Sequence, residues 1–403
     1  MTDPRAARAL RPVTVADIAA MSRVQRRALR MRLDRRSRNA LLFCVLPVMI
    51  VAKLLVAYLL PPKYFYDNNR ILGMANHALG TVAWEGSYRI AANLFEAINI
   101  GDLTTMLEWS VCLGIVLTGV VIVMVTRADA PDFIQSLFIL ASVGLLNIYI
   151  FTIGKDVIQF AFFLAVYVVL MLPIRSATLK IVLSAVVLWY ESTFFRAYYV
   201  LIAALVLLVY AILTFFRARV HRFTGGTVLL VCVTLFATVW LVLLASSVLM
   251  PDAYDQVMTL RDSYSTVMDG NADSATFIQN WISGGGLPVF MANYVIDAFR
   301  MMIPVELAIR GLQYWPFFAF QLFVTVYLVN LLRQMNKLND PTVFLALCVF
   351  IGYALASFLF EPDFGSWTRH EAATFPVLHL LVLNRYQRIP LTAREREIER
   401  MLG

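Results

Sequence analysis

Outside its two basic ends, this sequence places nearly all of its charged residues in the connectors between long apolar stretches. The most heavily loaded connector is Phe360-Glu361-Pro362-Asp363-Phe364-Gly365-Ser366-Trp367-Thr368-Arg369-His370-Glu371. Its three acids, arginine and histidine sit at the mouth of a helix bundle, where charge is costly unless it is paired or used. Ile153-Gly154-Lys155-Asp156 sets a cation beside an acid in a very tight turn. The plainer reading of Lys155 is an anchor at the membrane interface. In Tyr190-Glu191-Ser192-Thr193-Phe194-Phe195-Arg196-Ala197-Tyr198-Tyr199, an arginine fork suited to phosphate stands beside two rings suited to a sugar. A structural Glu191–Arg196 ion pair is the competing reading. After the first apolar stretch come Tyr66, Asp67 and Arg70, the last two one helical turn apart and able to share a face, or simply to form a surface salt bridge.

Together these connectors supply carboxylates to act as a base, cations to hold an anion, and aromatics (Tyr66, Tyr198, Tyr199, Trp367) to grip a sugar or the start of a prenyl chain. No phosphate-binding loop accompanies them. A substrate reached from this side must therefore carry its own activation on a lipid. A polyprenyl-diphosphate-linked sugar meets that requirement, because its diphosphate is both a membrane-anchored anion and a leaving group. Cations would stabilise the charge developing on the leaving diphosphate. A carboxylate would take the proton of the acceptor hydroxyl.

The elements that must position these residues follow from composition. Of 403 residues, 60% are hydrophobic and only 15% charged, against about 25% charged for a soluble domain. The 13% aromatic content excludes disorder. An all-α, polytopic membrane bundle remains, since helices satisfy their backbone within lipid. Ten spans are expected: Asn39–Leu60, Leu107–Thr126, Phe133–Phe151, Val157–Ile174, a weaker Ile181–Tyr190, Ala197–Phe216, Thr227–Met250, Trp315–Leu332, Pro341–Phe360 and a short Ala372–Leu383.

Charge sorts by side on that layout. One side collects 24 basic and nine acidic residues, the other nine basic and seventeen acidic, with Lys53 inside the first span. The basic side, including both termini, is expected to be cytoplasmic. The organisation is then a basic segment 1–38, a bundle 39–384 with outer loops 61–106 and 251–314, and a tail 385–403. Interfacial helices are expected near Ile90–Ile100 and Val295–Leu307. Thr14-Val15-Ala16-Asp17 reads as a capping box, and Ile18, Met21, Val24, Leu29 and Leu33 recur among arginines as on an interfacial helix against anionic lipid; a tail that only sets topology explains them equally well. The net +8 is thus a topology signal, and nucleic acid is not an expected partner. Cys44, Cys112, Cys232 and Cys348 all fall in spans, so neither a disulfide framework nor a zinc site is expected. Asp252, Asp255, Asp262, Asp269 and Asp273 are too irregularly spaced to indicate a metal, so no cofactor is expected, with a divalent ion left open.

The Gly365-Ser366-Trp367-Thr368-Arg369-His370 run ahead of a proline-containing last span resembles the Gly-x-x-x-Arg-His pattern of bacterial polysaccharide-cluster membrane proteins, including repeat-unit polymerases of the Wzy and EpsG kind. The Lys155–Asp156 turn and the Arg196 turn are similar to charged positions in that group. The resemblance implies glycosidic bond formation at the periplasmic face of a bacterial inner membrane, between two lipid-linked oligosaccharides. It implies membrane lipids and other polysaccharide-assembly membrane proteins as partners. Under it Lys155, Arg196 and Arg369, with Arg70 as a further cation, hold diphosphate. Asp67, Asp363 or Glu191 is the base, with His370 as an alternative base or sugar ligand. Three rival readings stay open. One is a GT-C-type transferase of single lipid-linked sugars, with Asp67 in its first outer loop. Another is a lipid-linked sugar flippase, which needs charges along a route where only Lys53 is evident. The third is a non-catalytic partner in polysaccharide assembly.

Overall fold

The computed structural model describes residues 15–249, 251, 254–255, 258–259, 276–360, 363–389 and 393–402. Thr14, Asp252, Asp262, Asp269, Asp273 and Glu361 lie outside them. The described segments are helical, with only an isolated bridge between Phe277 and Asp363. Among the described residues, seven helices are long and apolar enough to cross a bilayer, which makes this a helical polytopic bundle.

A short helix α1 (Val15–Ala19) precedes α2 (Arg23–Tyr58), whose 36 residues begin at a Ser22/Gln25 capping box. At 1.5 Å per residue α2 is about 54 Å long, well beyond the hydrocarbon thickness. The arginine-rich stretch from Arg23 is therefore continuous with the first span in one helix. Its Arg38 donates to the Ala128 carbonyl, and its Asp34 pairs with Arg388 at 3.2 Å. Arg388 also donates to the Ala130 carbonyl at 2.9 Å, so both basic ends grip the turn at residues 128–132.

Two surface helices follow, α3 (Tyr66–Ala75) and α4 (Ser87–Ile98). The next crossing helices are α5 (Met106–Arg127) and α6 (Phe133–Leu145), which continues as one π-turn over Leu146–Ile150. Then come α7 (Lys155–Met171) and α8 (Ala177–Ser192), of 17 and 16 residues, followed by the crossing helices α9 (Tyr199–Arg219) and α10 (Gly225–Leu249). In the second long loop, α11 (Leu287–Met302) and α12 (Val305–Arg310) meet at Pro304. The single helix expected over Val295–Leu307 is thus two, because Pro304 brings no N–H to the turn. The chain continues through α13 (Trp315–Arg333) and α14 (Pro341–Phe360) into α15 (Phe364–Ala373) and α16 (Phe375–Val382), and α17 (Ala393–Leu402) is the last helix.

Seven rather than ten helices reach crossing length because three of the expected spans are short. Helix α7, at about 26 Å, and α8, at about 24 Å, both fall short of a hydrocarbon core of about 30 Å. The last expected span is broken at Thr374, since Pro376 cannot donate to the carbonyl one turn back. These short and broken helices surround α14, which is buried almost from end to end. A Cβ on Gly352 of α14 would meet the Val206 backbone nitrogen of α9 at 2.8 Å, so only glycine allows the two helices to lie this close. Because α7, α8 and the α15–α16 pair stop short, their polar ends gather on one side of α14.

Candidate functional site

Asp156, in the first turn of α7, is the hub of that gathering. Arg196 Nη2 lies 3.2 Å from its Oδ1, His370 Nε2 lies 3.1 Å from the same oxygen, and Arg369 Nε lies 3.0 Å from Oδ2. The residues come from three places: the α7 start, the turn before α9, and the second half of α15. Gln159, one turn along α7, braces the set by accepting from Arg196 Nη1 at 3.0 Å and donating to the His370 carbonyl at 3.1 Å. Arg196 also donates to the Tyr198 hydroxyl at 3.1 Å.

Beside the hub, Lys155 turns the other way. Its Nζ lies 3.1 Å from Asp67 Oδ2 and donates to the Tyr88 hydroxyl at 2.7 Å. Helix α3 reaches this point through Asn68, which donates to the Ile153 carbonyl at 2.7 Å. Burial works to raise the Asp67 carboxyl, but Lys155, with help from Arg369, prevails and holds it below its ordinary value. Burial and then the Asp67 charge push the Tyr88 hydroxyl well above an ordinary phenol. Within the contacting set, Lys155, Arg196 and Arg369 face two carboxylates, Asp67 and Asp156. The set therefore carries one surplus positive charge, and a second when His370 is protonated.

Arg369 also reaches a cavity of about 430 Å³. Leu60, Leu145, Tyr149, Tyr314 and Phe317 supply an apolar and aromatic wall, while Arg369 and Asp363 are its charged members. Asp363 is already committed. One oxygen caps α15 by accepting from Ser366 N at 2.7 Å, and the other accepts from the Thr276 hydroxyl at 2.7 Å. A carboxylate so occupied is a helix cap rather than an available base.

Several other sequence expectations are corrected by position. Arg70 is not among the cations that contact Asp67 and Asp156. Its guanidinium lies 4.0 Å from the Trp84 ring centre and 5.0 Å from that of Tyr66. Trp367 is 1% exposed and stacked on Tyr353, with its indole N–H on Gln321, so it has no face left for a sugar. Tyr199 and Glu191 are fully buried against one another, away from the cavity wall. Tyr198 packs its ring at a tilt against Phe360 while holding Arg196, which makes it a support for the cation cluster.

Reading by connector also missed residues. Asp156 is the hub, although of the Lys155–Asp156 pair only Lys155 is assigned a role from sequence. Gln159 carried a usable signal, as an amide one turn after Asp156 in an otherwise apolar stretch. Tyr88 and Asn68 carried none, because their roles arise from how α3 and α4 dock. Among the described residues, no three His, Cys, Asp or Glu side chains come together as a metal site requires. A scan against protein-family models and searches of curated proteins and of solved structures return no match to this chain.

Proposed function

We propose that this chain is a membrane glycosyltransferase that takes a sugar or sugar block from a polyprenyl-diphosphate carrier, acting as a polysaccharide repeat-unit polymerase at the periplasmic face of a bacterial inner membrane. The observation that carries the reading is the position of Arg369, at once against the buried Asp156 and in the wall of the apolar, aromatic cavity. A prenyl chain suits Leu60, Leu145, Tyr149 and Phe317, and its phosphate would then lie at Arg369, backed by the surplus charge of Lys155 and Arg196.

In the reaction, the acceptor hydroxyl oxygen forms a bond to the anomeric carbon while the bond from that carbon to the diphosphate oxygen breaks. The electron pair leaves with the diphosphate, where arginine donors stabilise it best as charge develops. The hydroxyl proton passes to a carboxylate. Asp67 is the residue for this step, since its side chain is 25% exposed, against 8% for Asp156, and Asp363 is occupied. An incoming phosphate that attracts Lys155 would release Asp67 from its ion pair and raise its basicity at the moment of use.

The test is transfer by purified protein in vesicles supplied with a synthetic polyprenyl-diphosphate oligosaccharide. Growth of the chain supports a polymerase, and transfer of one sugar supports the single-sugar variant of the same chemistry. Absence of any transfer with both donor and acceptor present rejects the reading.

A further inference from the structure

Tyr66, Trp84 and Tyr88 form a continuous series of rings on the surface formed by α3, α4 and the connector between them. Ring centres of Tyr66 and Trp84 are 6.0 Å apart, and Trp84 meets Tyr88 edge-on at 4.7 Å. Tyr66 is 55% exposed, and the other two rings are partly so. Arg70 lies between the first two, donating to the Val82 carbonyl at 3.1 Å and to the Tyr66 hydroxyl. At the other end the series touches the reactive pair, because Tyr88 accepts from Lys155, whose Nζ lies 4.0 Å from the Tyr88 ring centre. Tyr66 and Asp67 are neighbours in α3, so the exposed rings stand one residue from the only partly exposed carboxylate of the cluster.

We infer that Tyr66, Trp84 and Arg70 form the acceptor-glycan subsite, binding the saccharide whose hydroxyl is presented to Asp67. This rests on the glycosyl-transfer reading above and adds where the second substrate sits. A pyranose has an apolar C–H face and a rim of hydroxyls. Aromatic rings with a polar edge match the first, and a fixed guanidinium matches the second. Rings that merely anchored α3 and α4 at the membrane interface would need no arginine fixed among them and no link to Lys155. Arg70 therefore serves the acceptor, not the diphosphate.

Purified protein in lipid nanodiscs is titrated calorimetrically with the soluble oligosaccharides that mild acid releases from the lipid-linked pool of the cells that make it. Saturable binding is expected. Trp84→Ala and Tyr66→Ala should each weaken it about tenfold, the equivalent of about 1.4 kcal/mol. Trp84→Phe, which keeps a ring and guards against a folding defect, should recover most of the loss. No saturable binding by the wild type, or equal affinity in Trp84→Ala, would overturn the assignment; equal affinity is the outcome an anchoring role gives. Because the free glycan lacks the diphosphate, this result is independent of the vesicle transfer assay. Glycan binding without transfer would reject the proposed reaction and, with it, the acceptor role, leaving only a glycan-binding surface at Tyr66, Trp84 and Arg70.

Discussion

Arg369 Nε lies 3.0 Å from Asp156 Oδ2, and the same guanidinium forms part of the wall of the 430 Å³ cavity. One side chain thus connects a buried charge cluster to the space where a ligand would sit. Removing Asp156 leaves Arg196, Arg369 and His370 without their shared carboxylate, and losing one partner of a buried pair costs about 3–5 kcal/mol. Asp156→Ala should therefore lower the thermal unfolding midpoint in detergent sharply. The Asp156→Ala/Arg369→Ala double variant should be less destabilised than the two single effects added together. Strict additivity would show that the two residues are not coupled.

The Asp67–Lys155 pair predicts a pH dependence. Asp67 titrates below its usual 3.8 in the folded protein. A carboxyl depressed on folding contributes stability that is complete above its unfolded value and is lost as pH falls through the folded one. The midpoint difference between wild type and Asp67→Asn should accordingly be constant from neutral pH down to about 5 and close as pH falls below 3.8 and through the depressed folded value. Scanning calorimetry at a series of pH values measures it. A difference that grows on acidification contradicts the pairing.

Gly154 permits the contact that positions Asp67. A Cβ there would fall 2.4 Å from Asn68 Nδ2, the atom that binds the Ile153 carbonyl. Gly154→Ala and Asn68→Ala should each loosen α3 from the start of α7, at a cost of about 1–3 kcal/mol. Amide exchange across Tyr66–Ala75 should rise in both. Unchanged exchange in Gly154→Ala would mean that α3 is held by other contacts.

Lys53, inside the first span, is tied by Nζ bonds to Ser110 Oγ at 2.9 Å and to the carbonyls of Asn147 at 2.7 Å and Phe151 at 3.0 Å. It secures the π-turn that carries Tyr149 to the cavity. Lys53→Met should destabilise by several kcal/mol, because buried carbonyls lose their donor. Gly114→Ala should act similarly, since a Cβ there would meet Lys53 Cε at 2.4 Å. Thermal melts of the two variants are expected to fall together; a neutral Lys53→Met would contradict the structural role.

The helical bundle and the convergence of Asp67, Lys155, Arg196, Arg369 and His370 were legible, because apolar length and short charged connectors leave few places for those charges. What sequence left ambiguous was direction. Adjacent residues on a helix point about 100° apart, so Asp156 turns to the hub while Lys155 turns to Asp67. Two positions differ by about 200°, which sends Trp367 into the core and Arg369 to the cavity. Arg70 shares a turn with Asp67, yet α3 docks through Asn68, so Asp67 meets Lys155 and Arg70 meets Trp84. The short crossings at Ile181–Tyr190 and Ala372–Leu383 were legible as lengths, but the early end of α7 at Met171 and the break at Thr374 were not.

The central claim is that Arg369 holds the diphosphate of a lipid-linked donor beside Asp67. It is tested most directly by transfer from a synthetic polyprenyl-diphosphate oligosaccharide in vesicles, comparing wild type, Arg369→Ala, Arg369→Lys and Asp67→Asn. Losing a stabiliser of the leaving group costs about 10²–10³ in rate, so Arg369→Ala should fall by that factor, Arg369→Lys should recover part of it, and Asp67→Asn should be close to inactive although folded. Wild-type rates in both Arg369→Ala and Asp67→Asn would contradict the account.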